Sequence, residues 1–299
     1  MSSPRSQTAK GAILIMLAGI FWGTIGVLAK SVFLTGTMGA LGISFWRGAV
    51  AIPILSAFFV LTRRKLPRIG RKAIPLFVAF GLISYSLFQA LYMSAFARTT
   101  VAHAAALLYV APIFVAIFSR VLFRERMTVA KIVGVALAIA GAGLVVGLAH
   151  GSSVFDSATF AGDMLAIGAG GAYSTWYIFG KLAGQRYDPL TTTFWVMLVG
   201  TLALLPPTVI LEPSAFAGLR ESWYLVLLVA LVPTVAAYVT YLHGLRLVEA
   251  TRASVYATVE PIAAAITAYL IFQETLTIDA FAGVGVILVS IVLVSCPSR

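Results

Sequence analysis

Apolar residues in this chain come in long unbroken runs, and the polar connections between the runs are short. A helix of about 20 apolar residues crosses the roughly 30 Å hydrocarbon core of a bilayer. Such runs lie at about 11–30, 40–61, 73–95, 101–122, 128–148, 159–181, 189–211, 222–245, 251–272 and 278–296. What remains cannot form a soluble surface. Hydrophobic residues make up 61% of the chain, charged residues 10%, and mean hydropathy is +1.01. Soluble domains average about 45–50% apolar and about 25% charged residues. A β-barrel would show short alternating segments instead. The expected fold class is an all-α integral membrane protein with ten transmembrane helices. The opening MSSPRSQTAK lacks a separate apolar core with a cleavage site, so the first run is expected to be a retained span.

The net charge of +11 could suggest a nucleic-acid partner, but its placement points elsewhere. With the N-terminus placed in the cytoplasm, 17 Lys and Arg fall on the inner side, including the cluster from Arg63 to Lys72. Three fall outside, Lys30, Arg98 and Arg220, and Arg47 lies within the second span. Such a bias in short loops orients a membrane protein with its basic side in the cytoplasm. It places both termini there, in agreement with an even number of spans. The basic loops can also meet anionic lipid headgroups. The lone Cys296 excludes an intrachain disulfide, and no asparagine exists to be glycosylated. A bacterial inner membrane is the expected location.

The chain repeats itself. Residues 107–128 read LLYVAPIFVAIFSRVLFRERMT and residues 256–277 read YATVEPIAAAITAYLIFQETLT. At a shift of 149, Pro112 meets Pro261, Glu125 meets Glu274, Thr128 meets Thr277 and Gly134 meets Gly283. At a shift of 151, Leu14, Thr24 and Lys30 meet Leu165, Thr175 and Lys181, and Trp22 meets Tyr173. The halves are expected at 1–150 and 151–299, five spans each. Five is odd, so the second half enters the membrane upside down. Inverted repeats of this kind characterise carriers that alternate access around a site near the midplane. A duplication kept only for folding, or a channel, would share the pattern.

The spacing P-x10-F-x-E-x2-T-x5-G near the end of each half resembles the EamA repeat, and so does the arginine of FWRGAVA in the second span. Ten spans in two five-span halves resemble the drug/metabolite transporter superfamily over essentially the whole chain. Among its branches the chain looks most like the bacterial YddG-type exporters of aromatic and other amino acids. The resemblance implies a secondary carrier of small metabolites with a central cavity. It leaves the substrate open among amino acids, drugs, nucleotide sugars and sugar phosphates.

A substrate site needs polar and aromatic groups facing inward at mid-depth. In the third span Tyr85, Gln89, Tyr92 and Phe96 follow at spacings of four, three and four, on one helix face. Their counterparts 149 positions on are Thr234, Tyr238, Tyr241 and Leu245. Tyr92 and Tyr241 also suit the headgroup level, where aromatic residues collect. In the ninth span Glu260 stands near the centre, with Tyr256 four residues before it. A carboxylate there costs on the order of 2.5–3.5 kcal/mol on insertion scales. Three readings stay open for Glu260: a structural lock against Tyr, Gln or Arg, a grip on a substrate ammonium, or a proton carrier. Pro261 and Pro112 are expected to bend their helices. Arg47 can snorkel, pair structurally or hold a substrate carboxylate. Trp22 and Tyr173, with Trp176 and Tyr177 beside the latter, stand mid-span among glycines. They are either tight packing or aromatic walls for a flat substrate. His103 and His243 can titrate near neutrality, or simply pack. Glu125 and Glu274 are expected to order the start of the next helix.

No GxSxG, HExxH or Walker loop occurs, so no enzymatic activity and no cofactor or metal are expected. The expected partners are a small-molecule substrate and membrane lipid, not nucleic acid, and a monomer is compatible with every reading. The first choice of function is a secondary transporter exporting amino acids, aromatic or otherwise hydrophobic, and related metabolites by alternating access. The alternatives are a drug or nucleotide-sugar carrier, a channel, or a membrane scaffold.

Overall fold

The computed structural model describes residues 4–63, 67–96, 98–99, 101–146, 159–273 and 277–295. The first half makes five crossings. They are α1 (Pro4–Gly23) with α2 (Ile25–Leu34), then α3 (Ala40–Leu61), then α4 (Ile74–Ala79) joined to α5 (Phe88–Phe96), then α6 (Val101–Leu108) with α7 (Ala111–Leu122), and α8 (Val129–Val145). The second half runs through α9 (Phe160–Gly184) and α10 (Pro189–Leu211). It continues with α11 (Ser214–Ala230) joined to α12 (Ala237–Leu245), α13 (Ala250–Tyr256) with α14 (Val259–Phe272), and α15 (Ile278–Ser295). Among the described residues, seven helical stretches are by themselves long and apolar enough to cross a membrane, and α7 and α8 are shorter apolar helices. The side on which α1 begins and α15 ends is called here the terminal side.

Two inverted five-helix repeats build the molecule. Their closing helices, α8 and α15, lie antiparallel, with Gly134 beside Val294 and Gly283 beside Gly141 and Leu144. A Cβ on Gly283 would stand 2.6 Å from the Gly141 carbonyl oxygen, so only glycine permits this approach. Elsewhere α1 packs on α12 and α14, and α3 on α10. Large side chains such as Leu34, Leu211 and Val292 turn outward, where lipid replaces water as their solvent.

The repeat is also one of irregularities. The third crossing widens into a π-helix over Phe80–Leu87, and the eighth over Leu231–Ala236, in matching places. Hydroxyls follow the wide turn: Ser86 donates to the Gly81 carbonyl at 3.2 Å and Thr234 to the Val229 carbonyl at 2.8 Å, each five residues back. The fourth crossing breaks at Tyr109–Val110 and the ninth at Ala257–Thr258. Here the structure corrects the expectation of two bent helices. Pro112 and Pro261 sit in the first turns of new helices, α7 and α14. The backbone donors of a first turn have no intrahelical partner, so a proline there removes nothing.

Helix limits also exceed the apolar runs. The first crossing begins at Pro4 and ends at Leu34, interrupted at Thr24, whose hydroxyl donates to the Phe21 carbonyl at 2.7 Å. The eighth begins at Ser214 rather than 222. Polar residues at the bilayer surface continue a helix without adding to its apolar run.

Candidate substrate-binding site

The helix breaks of α6–α7 and α13–α14 face one another midway along their crossings. Around them lies a cavity lined by Tyr109, Pro112, Tyr173, Tyr177, Thr258 and Glu260, with Ser254 at its edge. It has room for about one water molecule, so in this state the site is contracted. Two half-helices, α7 and α14, begin here, so the positive ends of their dipoles lie at the gap.

Glu260 is the second residue of α14 and is partly exposed to the cavity. Its carboxylate forms no hydrogen bond or ion pair among the described residues. The pairing expected of a structural lock is therefore not formed. Several phenols, Tyr92, Tyr109, Tyr173, Tyr177 and Tyr238, lie within its electrostatic reach.

Arg47 approaches from the other half of the molecule. It is 5% exposed and does not snorkel. Its Nε donates to Tyr85 Oη at 3.3 Å, and the guanidinium lies over the same ring at 5.2 Å from its centre. Tyr85 in turn donates to the Ser44 carbonyl at 2.8 Å, and Gln89 Nε2 donates to Ser44 Oγ. Tyr85 and Gln89 thus share one anchor on α3 from a common helix face, and neither lines the cavity around Glu260. Tyr238 lies within electrostatic reach of both Arg47 and Glu260.

Trp22, Tyr173, Trp176 and Tyr238 come together in one aromatic lattice. Trp176 stacks on Tyr238 with ring centres 4.3 Å apart, and Trp22 meets Tyr238 at 5.3 Å and Tyr241 at 5.1 Å. Tyr177 closes the lattice against Tyr241 and Tyr173. Tyr92 stacks on Phe88, which touches Tyr173, so it joins the wall from the far side. Trp22 Nε1, Trp176 Nε1 and Tyr241 Oη are buried without a hydrogen bond.

The remaining candidates are placed differently. Tyr256 is not at the cavity: its Oη accepts from Ser295 Oγ on α15 at 3.2 Å, because it lies on the side of α13 that packs against the closing helix. The His103 side chain and all of Glu274 lie outside the described residues. His243 is exposed, its Nδ1 2.7 Å from the Val239 carbonyl. Glu125 does not order the next helix, whose start is capped by Thr128. Its carboxylate holds α13 instead, at Ala250 N (2.8 Å) and Thr251 Oγ1 (2.8 Å).

Sequence reasoning passed over Ser44, Tyr109, Ser254 and Thr258. A signal existed for two of them. Tyr109 and Thr258 are repeat counterparts, each three residues before its proline, where a helix about to restart must expose polar backbone.

An all-helical membrane chain of two inverted five-helix halves, with broken helices meeting at a polar and aromatic cavity, has the construction of a membrane transporter. The comparisons with known proteins agree. The EamA-like transporter family matches residues 9–147 and again 160–296, and the chain belongs to that family. An uncharacterized transporter of Archaeoglobus fulgidus is 28% identical over 95% of both chains. The uncharacterized inner membrane transporter YicL of Salmonella typhimurium is 25% identical, over 98% of this chain and 97% of that one. A WAT1-related chloroplastic protein of Arabidopsis thaliana is 27% identical over 93% of this chain and 67% of its own. One solved crystal structure shares the fold with a TM-score of 0.83 over 96% of each chain, at 16% identity.

Proposed function

We propose that this transporter exports amino acids, aromatic and other hydrophobic ones, by alternating access across a bacterial inner membrane, with both termini in the cytoplasm. One observation carries the reading. A carboxylate from the second half, without a partner among the described residues, lines an aromatic cavity, and a buried arginine from the first half stands behind the aromatic lattice, with Tyr238 in electrostatic reach of both. An amino-acid zwitterion has the complementary poles. Its carboxylate suits the planar donor fork of Arg47, and its ammonium suits Glu260 and the surrounding phenols. A flat side chain finds walls in Tyr173 and Tyr177, which Trp176 and Tyr238 back from behind. Nucleotide sugars would call for several cations, and among the described residues Arg47 is the basic residue in reach of the aromatic lattice.

The test is counterflow in proteoliposomes loaded with unlabelled tyrosine or leucine. Labelled tyrosine is expected to accumulate transiently. Tyramine, which lacks the carboxylate, and 3-(4-hydroxyphenyl)propionate, which lacks the ammonium, are expected to compete at least 10-fold more weakly. Equal competition by either analogue, or no counterflow for any amino acid, overturns the reading.

A further inference from the structure

The two ends of the central cavity are not closed alike. On the terminal side α13 packs on α7, and it also touches α1, α8, α9 and α15. Every residue of α13 except Arg252 is buried. Among the described residues, the equivalent pair on the other side, α6 and α14, is not packed to a comparable extent. The seven residues of α13 therefore plug the terminal side.

A plug of seven residues cannot hold its position by helical propensity, since so short a helix is unstable alone. Its position comes from that packing and from polar bonds at its N-terminus, several of which come from the opposite half. Glu125, 8% exposed, accepts from Ala250 N at 2.8 Å, Thr251 N at 3.4 Å and Thr251 Oγ1 at 2.8 Å. Beside it Lys131, 3% exposed, reaches Glu249 at 2.9 Å and the Arg126 carbonyl at 2.8 Å. From the second half's own side, Lys181 Nζ donates to the Val248 and Leu245 carbonyls, holding the turn that leads into α13. Arg120 Nη1 contacts the Glu125 carbonyl at 3.4 Å and fixes the residue's backbone.

We propose that Glu125 is the positioning residue of the terminal-side gate: its carboxylate latches α13 shut, and release of its bonds to Ala250 and Thr251 opens the central site to that side. The proposal rests on the reading of the chain as an alternating-access carrier, though not on the identity of its substrate. Charge-assisted bonds to backbone donors at a helix start are strong when made. They are also short-ranged, so a small separation of α7 from α13 breaks them together. That combination suits a two-state lock.

The experiment reads the gate without any substrate. In a full-length Cys296→Ser background, Ala253→Cys places a thiol at a fully buried position of α13. A membrane-impermeant maleimide is applied from each side of oriented membrane vesicles in turn. With Glu125 intact, labelling from either side is expected to be slow. Glu125→Ala is expected to raise the rate at least 10-fold from the terminal side alone. Glu125→Gln, which keeps one acceptor oxygen, is expected to fall between. A merely structural role would loosen the protein without preference of side. Unchanged labelling, or an equal rise from both sides, therefore overturns the proposal. Should Glu125→Ala fail to fold, Thr251→Val removes only the hydroxyl contact and must itself raise terminal-side labelling several-fold, or the proposal falls. One-sided labelling without amino-acid counterflow would sink the substrate reading and leave the gate standing.

Discussion

Trp176 of α9 lies flat on Tyr238 of α12, ring centres 4.3 Å apart and planes 17° from parallel. Both rings are nearly inaccessible, and Phe80 meets Trp176 edge-on at 4.8 Å. The pair fastens the first crossing of the second half to its third. Truncating a buried tryptophan typically costs about 3–5 kcal/mol through lost transfer and an unfilled cavity. Trp176→Ala should lower thermal stability in detergent by an amount in that range. Trp176→Phe keeps a stacking face and deletes an Nε1 that has no partner, so it should lose less than half as much. Equal losses for the two variants would show that the stack contributes little.

Much of this architecture was legible beforehand, for physical reasons. A bilayer demands about 20 apolar residues per crossing, and that demand writes itself into composition. Inversion followed from the pairing of Pro112 with Pro261 and the odd number of crossings per half. What stayed hidden were relations between distant positions. Glu125 finds its partner 126 residues away at Thr251, and nothing in the local pattern around FRERMT points there. The π-helical turns inside the third and eighth crossings add one residue per turn without changing which residues are apolar. Tyr256 shows the limit of periodicity: it occupies a plausible face, yet the break at Ala257 turns that face toward Ser295. The unequal closure of the two sides is invisible in a repeat whose halves resemble each other, because conformation is a property of packing.

Glu212 follows α10 and reaches back to the start of α3. Its carboxylate accepts from Gly39 N and, at 3.0 Å, from Gly42 N. A negative charge at a helix N-terminus is favoured by the dipole and satisfies donors that otherwise lack partners. Glu212→Ala should destabilise by about 1–3 kcal/mol, the cost of leaving such donors unmet. Glu212→Gln, which keeps an acceptor, should recover at least half of that loss in a thermal melt. If glutamine proves no better than alanine, the capping role fails.

Gly48 of α3 faces Thr201 of α10 at a distance that excludes any side chain. A Cβ there would stand 2.0 Å from Thr201 Oγ1 and 2.8 Å from Tyr85 Oη. Overpacking of this sort costs typically about 1–3 kcal/mol. Gly48→Ala should fall in that range and should also disturb transport, since it pushes on the tyrosine that anchors Arg47. Thr201 Oγ1 is buried and has no hydrogen bond to lose. The double variant Gly48→Ala, Thr201→Ala should therefore be more stable than Gly48→Ala alone. A double variant no better than the single would show that the clash lies elsewhere.

Arg47 and Glu260 come from different halves, so a zwitterion held by both would tie the halves together through itself. That arrangement predicts two variants with opposite blind spots. Arg47→Lys keeps the charge but loses the planar fork and its Nε bond to Tyr85. It should weaken the concentration dependence of tyrosine counterflow by about 10-fold, equivalent to about 1.4 kcal/mol. It should leave competition by tyramine unchanged, because tyramine has no carboxylate to misplace. Glu260→Gln should behave in reverse, weakening tyrosine and tyramine while sparing 3-(4-hydroxyphenyl)propionate. Both variants are read in the same vesicles with the same three compounds, so differences in expression or orientation cancel. If either variant weakens all three compounds equally, its side chain shapes the cavity without distinguishing the poles of the substrate, and the zwitterion assignment is lost.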